Sequence, residues 1–444
     1  MVNTLQRFLL WWSYTIHPPA IGLYHAGRRR QSADQLQPIR PPLREFFLLC
    51  VLLAGPVTAQ SVPPGVIIDR SPDFERVYVA CPSIAILRNG SYVASHSWFG
   101  PGTTNDTTEI FASADRGQTW THLAKVAGQW WSTLFVHRGQ LYLLGVDREY
   151  GHVVIRRSGD GGQTWTTPQD ANSGRLSEKP GYHGAPMPVL THGGRLWRAF
   201  ELSGGLASEL AVEVARHPAG GGYNTGVWGD LYIRPRLQWA SLVLSAPEDA
   251  DLLQASQWRH SEPLFHPESE SQWIEGNVLA APDGRLVNIL RTNPRTEAGP
   301  PSRTSTVVTI VDISSDGSRQ SWQPATAVAA FPGGGSKFTV RYDERSRRYW
   351  SLPNLQRDPA AYRSQVVLAS SADLRVWRED SVVLKHPEPR HHGWQYLDWQ
   401  FDGEDLIAVS RTAWEGSKAA HDANYFTFHR IAGFRAHRSP VQSP

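Results

Sequence analysis

From about Val66 onward, apolar and polar positions alternate in short runs, and turn residues open each run. A unit of this kind occupies residues 88–94, where Asn89 and Gly90 turn the chain ahead of an alternating stretch. It recurs at residues 137–143, 192–198 and 282–287, and more loosely at 343–349 and 401–406. A period of two over four to eight residues is the signature of half-buried strands, and a helical period appears nowhere. Six such units with no linker between them predict one all-β domain of repeated small sheets.

A second repeat lies outside these strands. Ser113, Asp115, Gly117, Thr119 and Trp120 recur at the same spacing as Ser158, Asp160, Gly162, Thr164 and Trp165, so the tryptophans are 45 residues apart. A period of that size means stacked supersecondary units. Ser and Asp accept backbone N–H groups in a tight turn, Gly supplies a positive φ, and Trp fills the gap between sheets. Looser copies end at Trp258, Trp322 and Trp377. The 93 residues from Trp165 to Trp258 are about two periods, so 203–247 holds either a long insertion or an unmarked blade. The motif resembles the Asp-box of sialidase-type β-propellers. It implies a single-domain, sialidase-like propeller of six or seven blades.

Composition narrows the class only slightly. The 19 % of charged residues and net charge of +3 give no footprint for nucleic acid. Eighteen Trp beside two Cys and two Met suit Asp-box plugs and also platforms for sugar rings. Residues 1–42 show no structural period. Arg44, the apolar run 46–54 and the small residues up to Ala59 then read as a signal peptide cut near Ala59. The expected organisation is therefore an N-terminal extension plus signal peptide over 1–59 and a catalytic propeller over 60–444. The apolar run is too short to span a bilayer, so a secreted or periplasmic protein without a stable membrane anchor is expected. Cys50 falls in the leader, which leaves Cys81 without a disulfide partner.

Propellers bind ligands at a mouth of the central channel, so polar residues on inner strands and their loops are the candidates. Sialidases clamp a carboxylate with three arginines, the first in an Arg–Ile–Pro motif opening the first blade. Ala80, ahead of Cys81 and Pro82, stands where that arginine would be, so sialidase activity is not expected. Residues 131–137, 181–186 and 194–201 resemble another branch of the superfamily. It comprises the seven-bladed ulvan lyases and the related enzymes that release terminal L-rhamnose from glucuronate. The resemblance favours seven blades and places His137, Tyr182 and Arg198 on the lyase histidine, tyrosine and arginine. The family's upstream histidine has no counterpart in residues 128–131.

The chemistry gives these types a rationale. β-Elimination removes the C5 proton of a uronate, so a cation must neutralise the adjacent carboxylate; Arg198 is suited to it. Tyr182, its pKa lowered by a nearby guanidinium, would act as base and then acid, with His137 or His183 sharing the proton work. His96, after the first inner strand, is a rival catalytic residue on the opposite face. Glu275, Asn277, Arg291, Lys337, Arg411 and His421 are expected to contact substrate, as converging cations suit an acidic polysaccharide or oligosaccharide. The leading expectation is a lyase of a rhamnose–glucuronate linkage. A glycoside hydrolase on the same propeller (α-L-rhamnosidase or exo-α-sialidase-like) and a non-catalytic glycan-binding propeller are the alternatives. No cofactor is required by this chemistry. A structural cation in the channel, near Asp398 and Asp402, is compatible with the sequence, and a monomer is expected.

Overall fold

The computed structural model describes residues 61–203, 239–265, 272–293, 305–357 and 363–437. The leader expected over 1–59, with Cys50, lies outside the described residues. The chain divides into two compact units, Met1–Ala59 and Gln60–Pro444; the second contains everything described below.

Its strands form six antiparallel sheets, one per blade. The innermost strands of blades 1, 2, 4, 5 and 6 are Tyr78–Ile86, Trp130–His137, Gln272–Ala280, Val340–Asp343 and Gly393–Asp402. In blade 3 the inner strand is broken into Tyr182–His183 and Leu190–His192, both paired to Arg195–Ser203. Val66–Arg70 pairs with Tyr425–Ile431 as the outermost strand of blade 6, so the first described strand joins the last and closes the ring. His96 belongs to this clasp: fully buried, it binds Asp69 through Nε2 at 2.8 Å and stacks on Phe111.

The described residues form six blades, not the seven that the lyase resemblance favours. The long interval is one sheet: Arg195–Ser203 pairs with Trp239–Pro247 from Arg195↔Pro247 to Ser203↔Trp239. Residues 204–238 therefore join two neighbouring strands of blade 3.

The core lies between adjacent blades. Val79, Ile84 and Tyr92 of blade 1 meet Ile407, Val409 and Phe426 of blade 6, while Val93 and Ile110 meet Leu134 and Leu143 of blade 2. The Asp-boxes form as their sequence requires. In the first, Gly117 N–H donates to Ser113 Oγ at 2.7 Å and Thr119 N–H to Asp115 Oδ1 at 2.9 Å. Gly117 has φ +91°, and Trp120 packs between blades 1 and 6. The second box repeats both bonds with Gly162, Ser158, Thr164 and Asp160.

A belt of hydrogen bonds joins each blade to the next around the channel. Asp398 of blade 6 accepts Ser83 Oγ at 2.8 Å and Ile84 N–H at 3.1 Å from blade 1. Ser83 Oγ accepts Leu134 N–H of blade 2, and Thr133 Oγ1 donates to Met187 O of blade 3. Glu201 of blade 3 accepts Glu275 N–H of blade 4 at 2.6 Å, and Asn277 Oδ1 accepts Val340 N–H of blade 5. Lys337 Nζ and Thr339 Oγ1 both donate to Leu397 O of blade 6, at 2.9 and 3.0 Å. This belt engages the side chains of Asn277, Lys337 and Asp398 in bonds between blades. Asp402 is likewise taken up by Tyr92 and Arg430.

Candidate active site

Four inner strands carry the same irregularity. The pairing register shifts between Ala80 and Ser83, Trp130 and Thr133, Ile274 and Asn277, and Gln395 and Asp398. Inside each bulge one non-glycine residue takes a left-handed backbone: Cys81 (φ 50°), Trp131 (48°), Glu275 (57°) and Tyr396 (57°). A bulge inserts a residue and re-aims its side chain, and such strained backbones persist where the surroundings over-determine them. The next residue in blade 4 has to be glycine, because a Cβ on Gly276 would lie 2.2 Å from Asn288 Oδ1.

All four re-aimed side chains line one cavity of about 370 Å³. It sits at the N-terminal end of the inner strands. The antiparallel second strands (Leu286–Asn293 and Asp405–Ala413) bring Arg291 and Arg411 to the same end, and connecting segments add Asn105, Glu149, His421 and Asp422. Phe99, Trp130 and Trp131 give the wall aromatic faces of the kind that sugar rings stack on.

Glu275 is the hub. Its Oε2 accepts Arg291 Nη1 at 2.9 Å, and its Oε1 accepts the Tyr396 hydroxyl at 2.7 Å. Burial works against the charged carboxylate, but the Arg291 charge and hydrogen bond, together with the His183 charge and the Tyr396 hydroxyl, hold the pKa below the ordinary 4.5. Burial, and then the Glu275 charge, push the Tyr396 phenol well above its ordinary range, so it enters any reaction protonated. Arg411 lies over the Tyr396 ring at 4.4 Å, and Gln395 Oε1 fixes it at 3.0 Å. Burial lowers its pKa to about 10, which leaves it cationic. On the far wall, His183 Nδ1 meets Glu201 Oε2 at 2.8 Å, and the ring stands edge-on to Trp131. Burial drops His421 to about 3, so it is neutral at ordinary pH. Burial lifts Cys81 to about 12, so it is a thiol.

The cavity thus gathers Glu275, Arg291, Arg411, His421 and His183 from the residues that the sequence singles out. The proposed lyase set is not gathered. His137 lies six residues beyond Trp131 on its strand, about 20 Å away at strand rise, and bonds Glu248 O. Arg198 is fully buried, gives its guanidinium to the carbonyls of Ala199 and Ala185, and packs over Phe200. Tyr182 packs against Phe200 and His260, and burial raises its pKa instead of an arginine lowering it. None of these three lines the cavity, and neither does His96.

Tyr396, Trp131, Cys81, Asn105 and Glu149 escape sequence reasoning. One usable signal existed: Trp273, Glu275 and Asn277 share their spacing with Trp394, Tyr396 and Asp398.

Comparison with solved structures places the architecture. An α-L-arabinanase from Penicillium chrysogenum, complexed with arabinobiose, matches with TM-score 0.50 and 14 % identity over 84 % of this chain and 98 % of that one. The Hadza microbial sialidase Hz136 matches with TM-score 0.52 and 12 % identity over 80 % and 66 %. The intramolecular trans-sialidase from Ruminococcus gnavus, in complex with oseltamivir carboxylate, matches with TM-score 0.50 and 12 % identity over 84 % and 99 %. The fold is the sialidase-type β-propeller. At such identity the likeness is one of fold. No protein-family model and no curated protein matches the chain. No helix among the described residues is long and apolar enough to cross a membrane.

Proposed function

We propose that the protein is a secreted glycoside hydrolase of an acidic glycan, with Tyr396 as nucleophile and Glu275 as the base that takes its proton. One observation carries this reading: the Tyr396 hydroxyl donates to Glu275 at 2.7 Å, with both side chains turned into the cavity by matching bulges. A neutral phenol is a poor nucleophile until a base in hydrogen-bond reach accepts its proton. Tyrosine replaces a carboxylate nucleophile in some glycosidases. The Tyr396 oxygen attacks the anomeric carbon, its proton passes to Glu275, and the leaving oxygen takes a proton from a carboxyl at the rim. Glu149 and Asp422 are the candidates for that acid. Water returning along the same path releases the sugar from Tyr396. Arg411 would bind the substrate's carboxylate. The reaction calls on no cofactor.

The structural neighbours support a carbohydrate ligand, since several are enzymes of glycans on the same fold. Secretion is supported by the compact unit Gln60–Pro444, which begins where the expected leader cleavage falls. A second reading retains elimination: Arg411 stacked on Tyr396 is a phenol–guanidinium pair like that required to abstract a proton beside a carboxylate. The two separate cleanly. Incubation with rhamnose-capped glucuronate glycans, ulvan and other uronate glycans is followed by reducing sugar and by ultraviolet absorbance of an unsaturated uronate. Reducing sugar alone means hydrolysis, both signals mean elimination, and neither across the panel contradicts the enzyme reading.

A further inference from the structure

A buried ammonium meets the bulge that carries Tyr396. Lys337 is 1 % exposed and lies just ahead of the inner strand of blade 5, Val340–Asp343. Its Nζ donates to Thr339 Oγ1 at 2.7 Å, then reaches into blade 6 to Leu397 O at 2.9 Å and Tyr396 O at 3.4 Å. Both carbonyls belong to the stretch where the register of blade 6 shifts, between Gln395 and Asp398. We propose that Lys337 is a positioning residue for the reaction: its ammonium holds the bulge that turns the Tyr396 hydroxyl toward Glu275. The role deepens the hydrolase reading above and rests on it.

The bonded segment is the strained one. Tyr396 takes φ 57° without being glycine, and such a backbone persists only where its surroundings fix it. The bulge of blade 4 is held in a corresponding way, since Glu275 N–H donates to the Glu201 carboxylate of blade 3 at 2.6 Å. Base and nucleophile are thus each set by an ionisable side chain of the preceding blade: Glu201 from the N–H side, Lys337 from the carbonyl side.

The proton on Lys337 does not serve the fold as a whole. Burial lowers its pKa from the ordinary 10.5 to about 8; the Asp398 and Glu275 charges favour the ammonium and the Arg341 charge opposes it. Cys81, a thiol until about pH 12, also lies near it. The folded pKa is below the unfolded one, so the unfolded chain binds more protons between about 8 and 10.5. Stability therefore rises with pH through that window. Loss of the proton favours the fold and removes the charged donor from the Tyr396 bulge.

The test reads position without turnover. The chain has five lysines, and the four besides Lys337 are exposed. Wild-type protein labelled at lysine Nζ and in its tyrosine rings is titrated from neutral to alkaline pH by NMR. The Lys337 and Tyr396 signals are assigned by their loss in Lys337→Met and Tyr396→Phe. Lys337 is expected to titrate at about 8, and the Tyr396 ring signals to move with the same midpoint. In Lys337→Met those ring signals should be displaced at pH 7 and stay still through the midpoint. That variant leaves Leu397 O paired, because Thr339 Oγ1 still donates to it at 3.0 Å. Its kcat should fall about tenfold at a melting temperature no lower than that of wild type, a combination that a purely structural role does not give. Tyr396 signals that ignore the Lys337 titration, or wild-type Tyr396 signals and kcat in Lys337→Met, overturn the proposal. Wild-type protein that releases no reducing sugar counts against the hydrolase reading alone, since the ring signals report the bulge without it.

Discussion

The Tyr396 hydroxyl reaches the Glu275 carboxylate at 2.7 Å although the residues are 121 positions apart and belong to blades 6 and 4. The bond spans the channel mouth past blade 5, and Arg291 completes it from the far side of Glu275. Glu275→Gln keeps the volume and removes the charge. It leaves the charge of Arg291, which is 6 % exposed, facing a neutral amide. Breaking a buried pair in this way costs about 3–5 kcal/mol. Chemical denaturation should show that loss, together with loss of activity, because the amide cannot accept the phenol's proton.

Arg411 stacks on Tyr396 and is fixed by Gln395 at the cavity wall, and its bidentate guanidinium is what a substrate carboxylate would meet. Arg411→Lys retains charge and loses the fork. KM for an acidic glycan should rise by about tenfold or more, with little change for a neutral aryl glycoside. Steady-state kinetics on the two substrates check this.

The pH dependence has a definite sign. Glu275 has a folded pKa below 4.5, so its stabilising charge is fully present above that value and lost as pH falls through the folded one. The acid limb of kcat/KM should therefore lie below pH 4.5. His421, held at about 3, is neutral above that and adds no limb near 6.5. A pH profile of Glu275→Gln stability against wild type should converge in acid.

The Asp-box carboxylates act on the fold alone. Hydrogen bonds from Thr119 hold Asp115 at about 2, and those from Thr164 hold Asp160 at about 2. Both pKa values are depressed, so their stabilisation is present above the ordinary 3.8 and fades between there and about pH 2. Asp160→Asn should lower the melting temperature at neutral pH and flatten its acid decline. Thermal scans from pH 2 to 7 measure both.

The boxes were legible in the sequence because their partners are contiguous: Ser113, Asp115 and Gly117 find one another within a single turn. The alternating units gave the blades for the same reason. The site was half legible. Arg291, Arg411 and Glu275 sit on recognisable strands, but alternation cannot say which residue of a strand a bulge will turn toward the channel. Cys81, Trp131, Glu275 and Tyr396 have no common side-chain type, and none is the glycine that usually marks a positive φ. Asn277 and Lys337 are engaged by hydrogen bonds that cross from one blade to the next, which a reading along the chain does not reveal. Tyr182 and Arg198 drew attention through sequence likeness, while Tyr182 packs against Phe200 and His260 and Arg198 is spent on backbone carbonyls, so neither lines the cavity.

The most direct test compares two conservative variants, Tyr396→Phe and Tyr182→Phe, in release of reducing sugar from the acidic glycan on which wild type is most active. Each removes one hydroxyl and leaves its ring in place. Tyr396→Phe should lose on the order of 10³-fold in kcat with only a modest fall in melting temperature from the lost bond to Glu275, while Tyr182→Phe should stay within about threefold of wild type in activity. Full activity in Tyr396→Phe, or the larger loss in Tyr182→Phe, would contradict a catalytic centre at Tyr396 and Glu275.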